Sequence, residues 1–111
     1  MKMIKFKIYQ CPVSTKYWGL NFDGVNNKYR IRRDDYVLVY RGLINSTPDL
    51  LEDIFVRFNL ECKKYFFYGR SLNVSDVVAI QDGEEWKYYY CNGTGWSQLK
   101  HFADYYLDND N

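Results

Sequence analysis

Apolar residues alternate strictly at the start of the chain. Ile4, Phe6 and Ile8 fall on one side and Lys5, Lys7 and Tyr9 on the other, the period of a half-buried β-strand that Pro12 ends. Over residues 13–27 the pattern dissolves into a loop anchored by Trp18, Leu20 and Phe22, with Gly19, Gly24 and Asn26-Asn27 as turn chemistry. Residues 36–41 predict a second strand, with Tyr36, Leu38 and Tyr40 on one face and Val37 and Val39 on the other. The period then changes. Thr47-Pro48-Asp49 reads as a helix start, Thr47 accepting a backbone N–H and Pro48 occupying the first helical position, where its missing donor costs nothing. Leu50, Leu51, Ile54, Phe55 and Phe58 recur on one helical face and leave Glu52, Asp53 and Arg57 for solvent. Residues 77–81 and 86–91 flank Asp82-Gly83-Glu84-Glu85, a hairpin with an Asp-Gly turn signal. Leu99, Phe102, Ala103, Tyr106 and Leu107 predict a second helix over residues 97–107, followed by a frayed tail over 108–111. No repeat or linker separates these elements. The expected fold is α+β, a small single domain over residues 1–111 with one mostly antiparallel sheet and one or two helices packed on one face.

Composition sharpens this in three places. A chain of 111 residues can bury one core without disulfides or metal. Aromatics make up 20% of it, with 12 Tyr, so either polar-tipped rings line both faces of a thin sheet or some of them line a partner-binding surface. Cys11, Cys62 and Cys91 are an odd number without C-x-x-C spacing, and the single His is His101, which excludes a disulfide framework or a zinc site as the organising feature. The interleaved lysines of residues 1–8 break any continuous apolar run, so neither a signal peptide nor a membrane span is expected there, and the location implied is the cytosol. The sequons at Asn45, Asn73 and Asn92 carry no glycosylation meaning in that compartment.

Net charge is +1, too small to attract nucleic acid or membrane as a whole. Its distribution is uneven: residues 1–41 hold nine Lys/Arg against three Asp/Glu, and residues 42–111 hold six against eleven. Such halves either present a dipolar surface or pair internally. Arg30, Arg32 and Arg33 beside Tyr29 form the one concentrated basic stretch, but Asp34-Asp35 follow at once, so a solvated edge is favoured over phosphate contact. Nucleophilic catalysis needs a Ser or Cys beside an activating base, and no such arrangement, P-loop or dinucleotide glycine fingerprint stands out. The carboxylates Asp82, Glu84 and Glu85 sit at a loop tip, where solvation leaves little to shift a pKa.

The densest motif is Gly69-Arg70-Ser71-Leu72-Asn73-Val74-Ser75-Asp76-Val77-Val78, followed by the aromatic hairpin ending Cys91-Asn92-Gly93-Thr94-Gly95-Trp96. With the strand from Tyr36 to Leu43 and the helix from Leu50 to Asn59, this resembles the YodL-like domain family over a core of residues 3–99. The chain departs from the family pattern at Asn92, where the family has Asp, and at Asn73, where it has Ser. Ser71, Leu72, Val74, Ser75, Asp76, Val77 and Val78 read as a structural signature, since short polar side chains before a strand satisfy local backbone donors.

The resemblance implies a setting more than a reaction. Similar domains are accessory parts of large proteins of phages and conjugative elements. That implies a non-enzymatic inhibitor or modulator binding a host protein, for example an anti-defence factor of the anti-CRISPR type acting on a defence nuclease complex, with no cofactor or metal. The expected contact residues are Trp96, the ring faces of Trp86, Tyr88 and Tyr90 or of Tyr89 opposite them, and Arg30, Arg32 and Arg33. Two other classes remain open: a host regulator of cell shape or sporulation that also acts by binding, and an enzyme with a pocket built from Asp76, Tyr88, Tyr90 and His101.

Overall fold

The opening alternation forms strand β1 (Met3–Gln10), half-buried as expected up to Lys5 but buried on both sides from Phe6 to Gln10. Its position explains this. The computed structural model describes residues 2–25, 29–60 and 71–102. After β1 come a short helix α1 (Phe22–Val25), a 3₁₀ turn at Arg33–Asp35, strand β2 (Val37–Asn45) and helix α2 (Leu50–Leu60). Strands β3 (Val77–Asp82), β4 (Glu85–Cys91) and β5 (Trp96–Leu99) follow. They make one five-stranded sheet in the order β2-β1-β3-β4-β5, every neighbouring pair antiparallel. The protein is thus α+β, and β1 sits inside the sheet with a layer on each face.

On one face α2 lays Ile54 and Phe58, both fully buried, against Ile4, Phe6, Ile8, Val78 and Ile80. Gly42 stands opposite Phe6, and a β-carbon there would lie 2.7 Å from the Tyr40 ring, so its bareness admits the Phe6–Tyr40–Phe58 ring stack. The other face carries Tyr9, Val77, Ala79, Tyr88 and Tyr90. It is covered by the arm that runs from Cys11 to Tyr36 and by Phe102, whose ring packs on Tyr9, Tyr36 and Tyr88. Lys7 is buried on this face with its ammonium 4.3 Å from the Trp86 ring centre, a cation–π contact that offsets part of its desolvation.

Several expectations need correction. The face assignment of β2 fails at a bulge: Ile8 pairs with Tyr40 but Tyr9 with Leu38, so Val39 is the extra residue. Tyr40 and Val39 therefore join the α2 side, while Leu38 and Tyr36 join the arm side. Helix α2 begins at Leu50, its first turn closed by the Asp53 N–H on the Asp49 carbonyl, and the Thr47 hydroxyl bonds the Asp53 carboxylate rather than a backbone donor. Phe55 is half-buried at the edge of the helix contact, so Ile54 and Phe58 are its core residues. Leu20, expected as an anchor, is exposed, whereas Trp18 and Phe22 do pack on the core.

The Asp82-Gly83 hairpin forms, but Asp82 is the last paired residue of β3 and the two-residue loop is Gly83-Glu84, with positive φ at Gly83 alone, as a type II′ turn requires. At its exposed base Lys87 pairs with Asp82 at 2.8 Å, which holds the Asp82 carboxyl below the usual carboxylate range. Residues 97–99, expected to open a helix, belong to β5, which satisfies the outer edge of β4 through Tyr88↔Leu99 and Cys91↔Trp96. The rest of that expected helix, from Ala103 on, lies outside the described residues, as does Cys62.

Candidate functional site

Two of the signature residues, Ser75 and Asp76, meet at one buried node. Ser75 has a φ of +80°, which a residue with a side chain adopts only when its surroundings hold it there. Four neighbours do so: the Ser75 N–H donates to the Cys91 carbonyl (2.9 Å), its carbonyl accepts the Tyr36 hydroxyl (2.6 Å), its Oγ accepts the Gly19 N–H (2.9 Å), and the Cys11 thiol lies 3.6 Å from the same Oγ. Asp76, fully buried, accepts the Asn73 N–H (2.8 Å) and the Gln10 amide (3.1 Å) on Oδ2, while its carbonyl takes the Cys91 N–H (2.8 Å). A carboxylate out of water needs such donors. The motif is therefore a latch joining β1, the arm, the entry to β3 and the end of β4. Leu72 is buried on the α2 side.

Burial also sets the state of the nearby acids. Desolvation raises the phenols of Tyr17, Tyr36 and Tyr90 above their ordinary value, so all three stay protonated as donors, to Asp35 (2.7 Å), Ser75 and the Leu20 carbonyl (2.6 Å) respectively. The Cys91 thiol is pushed up to about 12 by burial, then by the charges of Asp76 and Glu52, which makes it inert as a nucleophile at neutral pH. Of the residues of the conceivable enzyme pocket, Asp76 and Tyr90 are buried in bonded positions, Tyr88 packs between Tyr9 and Phe102, and His101 is exposed.

The turn from β4 to β5 is built as carefully. Asn92 N–H donates to the Gly95 carbonyl (3.0 Å), and Gly95, at φ +79°, reverses the chain. The Asn92 side chain accepts the Phe22 N–H (2.8 Å) and donates to the Ser97 hydroxyl (2.9 Å), while Asn21 of the arm accepts the Gly93 N–H (2.7 Å). A carboxylate at position 92 would accept from both the Phe22 N–H and the Ser97 hydroxyl, so Asp and Asn can each close this turn.

Beyond the turn a cleft opens between α2 and the β4–β5 corner. It consists of two hollows of about 360 and 330 Å³ that share Glu52 and Trp96 as common walls. Phe55 meets the Trp96 indole edge to face, at 6.3 Å between ring centres and 84°. The indole N–H points to the Glu52 carboxylate at 3.4 Å. Asn92, Gly93 and Gly95 close one hollow; Tyr89, Ile80, Leu51 and Asp49 border the other. The cleft has the size and mixed apolar and polar lining of a site that accepts a side chain or a short segment.

Of the residues predicted as contacts, Trp96 and Tyr89 are half-buried and share this cleft. Tyr88 and Tyr90 are core on the other face, and Trp86 is half-buried there under Lys7. Arg33 stacks its guanidinium 4.6 Å from the Tyr9 ring centre and donates to the Tyr36 carbonyl (3.0 Å), so it serves the fold. Arg30 and Arg32 are exposed, and Arg32 pairs with Asp34 at 3.3 Å. The sheet stands between Arg33 and Trp96, so the basic stretch and the cleft are separate surfaces. Glu52 and Phe55 were missed as site residues; their signal was a helical acidic and aromatic pair at i, i+3, ordinary in any amphipathic helix.

A family model described as the YodL-like domain matches residues 5–102. Among curated proteins and solved structures, none matches. The chain belongs to the YodL-like domain family.

Proposed function

We propose that this YodL-like domain acts without turnover, by binding and modulating a partner protein through the cleft at Trp96. The observation that carries the reading is the division of labour between its polar and aromatic groups. Ser75, Asp76, Tyr36 and Asn92 are engaged in holding the latch and the turn, whereas Trp96, with Phe55 on one side and Tyr89 on the other, borders two hollows open to solvent. Large rings at the rim of a preformed hollow are what protein interfaces use as anchors. The wider role proposed, a mobile-element product acting on host machinery such as a defence nuclease complex, rests on the family setting alone.

The test is capture from an extract of the native host with tagged protein, repeated with Trp96→Ala. The partner should be retained near one to one, and the variant should hold it roughly 30-fold more weakly, the consequence of losing about 2 kcal/mol at an interface hot spot. Equal capture by Trp96→Ala rejects the cleft as the contact surface. Sub-stoichiometric protein that covalently alters an excess of the partner rejects the binding mode itself.

A further inference from the structure

From the charge of the cleft we infer that its occupant is an arginine side chain on an extended segment of the partner, an assignment that rests on the binding reading above and narrows it. Among the described residues, those that line the two hollows include two carboxylates, Asp49 and Glu52, and no Lys, Arg or His. On the same face of β4, Lys87 stands two residues before Tyr89 and is paired with Asp82 at 2.8 Å. Glu52 reaches as far as the Trp96 indole N–H, so a negative oxygen stands at the edge of an aromatic ring.

That combination fits one side chain better than others. A guanidinium is planar, stacks on indole and phenol rings, and presents a fork of donors to a carboxylate. Its three-carbon stem lies along apolar surface of the kind that Leu51 and Pro48 offer at the mouth. Lysine matches the charge but not the fork. An acidic segment would meet Asp49 and Glu52 with like charge, and a purely apolar one would offer neither carboxylate a counter-charge.

The experiment uses four blocked nonapeptides of one sequence that carry arginine, lysine, norleucine or glutamate at three positions. Each is titrated into ¹⁵N-labelled protein while the Trp96 indole N–H signal is followed. The arginine peptide should shift that signal with the tightest apparent Kd. An Asp49→Asn/Glu52→Gln double variant should bind it roughly tenfold more weakly, the scale of two exposed charge contacts. Asparagine serves at a helix N-terminus as well as aspartate does, so this variant keeps its fold.

Equal shifts with the norleucine peptide, unchanged arginine binding in the double variant, or no shift with any peptide at millimolar concentration would each overturn the assignment. If partner capture nevertheless falls in Trp96→Ala, the cleft still binds and its occupant is not arginine. If capture does not fall, the binding reading fails as well.

Discussion

The two faces of the sheet solve burial differently. Under the arm, tyrosines dominate: Tyr9, Tyr17, Tyr36, Tyr88 and Tyr90 pack with their rings inward, and hydroxyls such as those of Tyr17, Tyr36 and Tyr90 find acceptors in the arm, the latch or a carboxylate. Under α2 the core is mostly aliphatic with Phe6 and Phe58, and Phe55 lies at the lateral edge of the helix contact, beside a cleft. A face closed by hydrogen-bonded rings is specific and rigid. A face closed by one helix leaves an open end, and that is where the half-buried Trp96 indole sits.

The contrast can be broken most severely on the helix side. Phe58→Ala should cost about 3–5 kcal/mol in denaturant unfolding, as for other buried Phe truncations, whereas Phe55→Ala should cost well under half of that and act mainly on partner binding. Similar losses for the two would mean that the cleft wall is core. On the arm side, Asp76→Ala should cost about 2–3 kcal/mol, because the Gln10 amide and the Asn73 N–H lose a charged acceptor inside the protein. Capture of the partner by the folded fraction should be unchanged, and a stable but inactive variant would transfer function to the latch.

Alkali should sharpen the same contrast more gently. Tyr17, Tyr36 and Tyr90 have raised folded-state values, so the native state keeps protons that the unfolded chain releases above pH about 10. Stability is therefore unaffected below that pH and declines as pH rises through it. Phenolate absorbance at 295 nm, followed against a far-ultraviolet signal, should show these tyrosines ionising together with unfolding. Ionisation of all tyrosines in a still-folded protein would contradict the sealed arm face.

The local elements were legible because short-range rules decide them. Alternation marks β1, helical spacing marks α2, and Asp82-Gly83 marks the hairpin, whichever of its residues forms the loop. Long-range pairing was not. Leu99 and Phe102 are three residues apart, as on a helix, but Leu99 pairs with Tyr88 and Phe102 fills the arm-side core. Nothing near Val39 announces a bulge, since its cause is the need of Leu38 and Tyr40 to serve opposite layers. Of the cleft, Trp96 and Tyr89 stood out as exposed-ring candidates, while Glu52 and Phe55 emerge as site residues only when α2 lies against β5.

The order of strands has a consequence for how the chain is made. β1 precedes the other strands in the chain and pairs with β2, the next to follow, but its other edge waits for β3, with Phe6 opposite Ile80. Until then the β1–β2 ribbon carries an open hydrogen-bonding edge. Its arm, too, has not yet met the latch around Ser75 or the Asn92 turn. The seam from Phe6 to Tyr9 joins an early half to a late one, so the domain closes in a single late step governed by loop closure, slower than its modest length alone suggests.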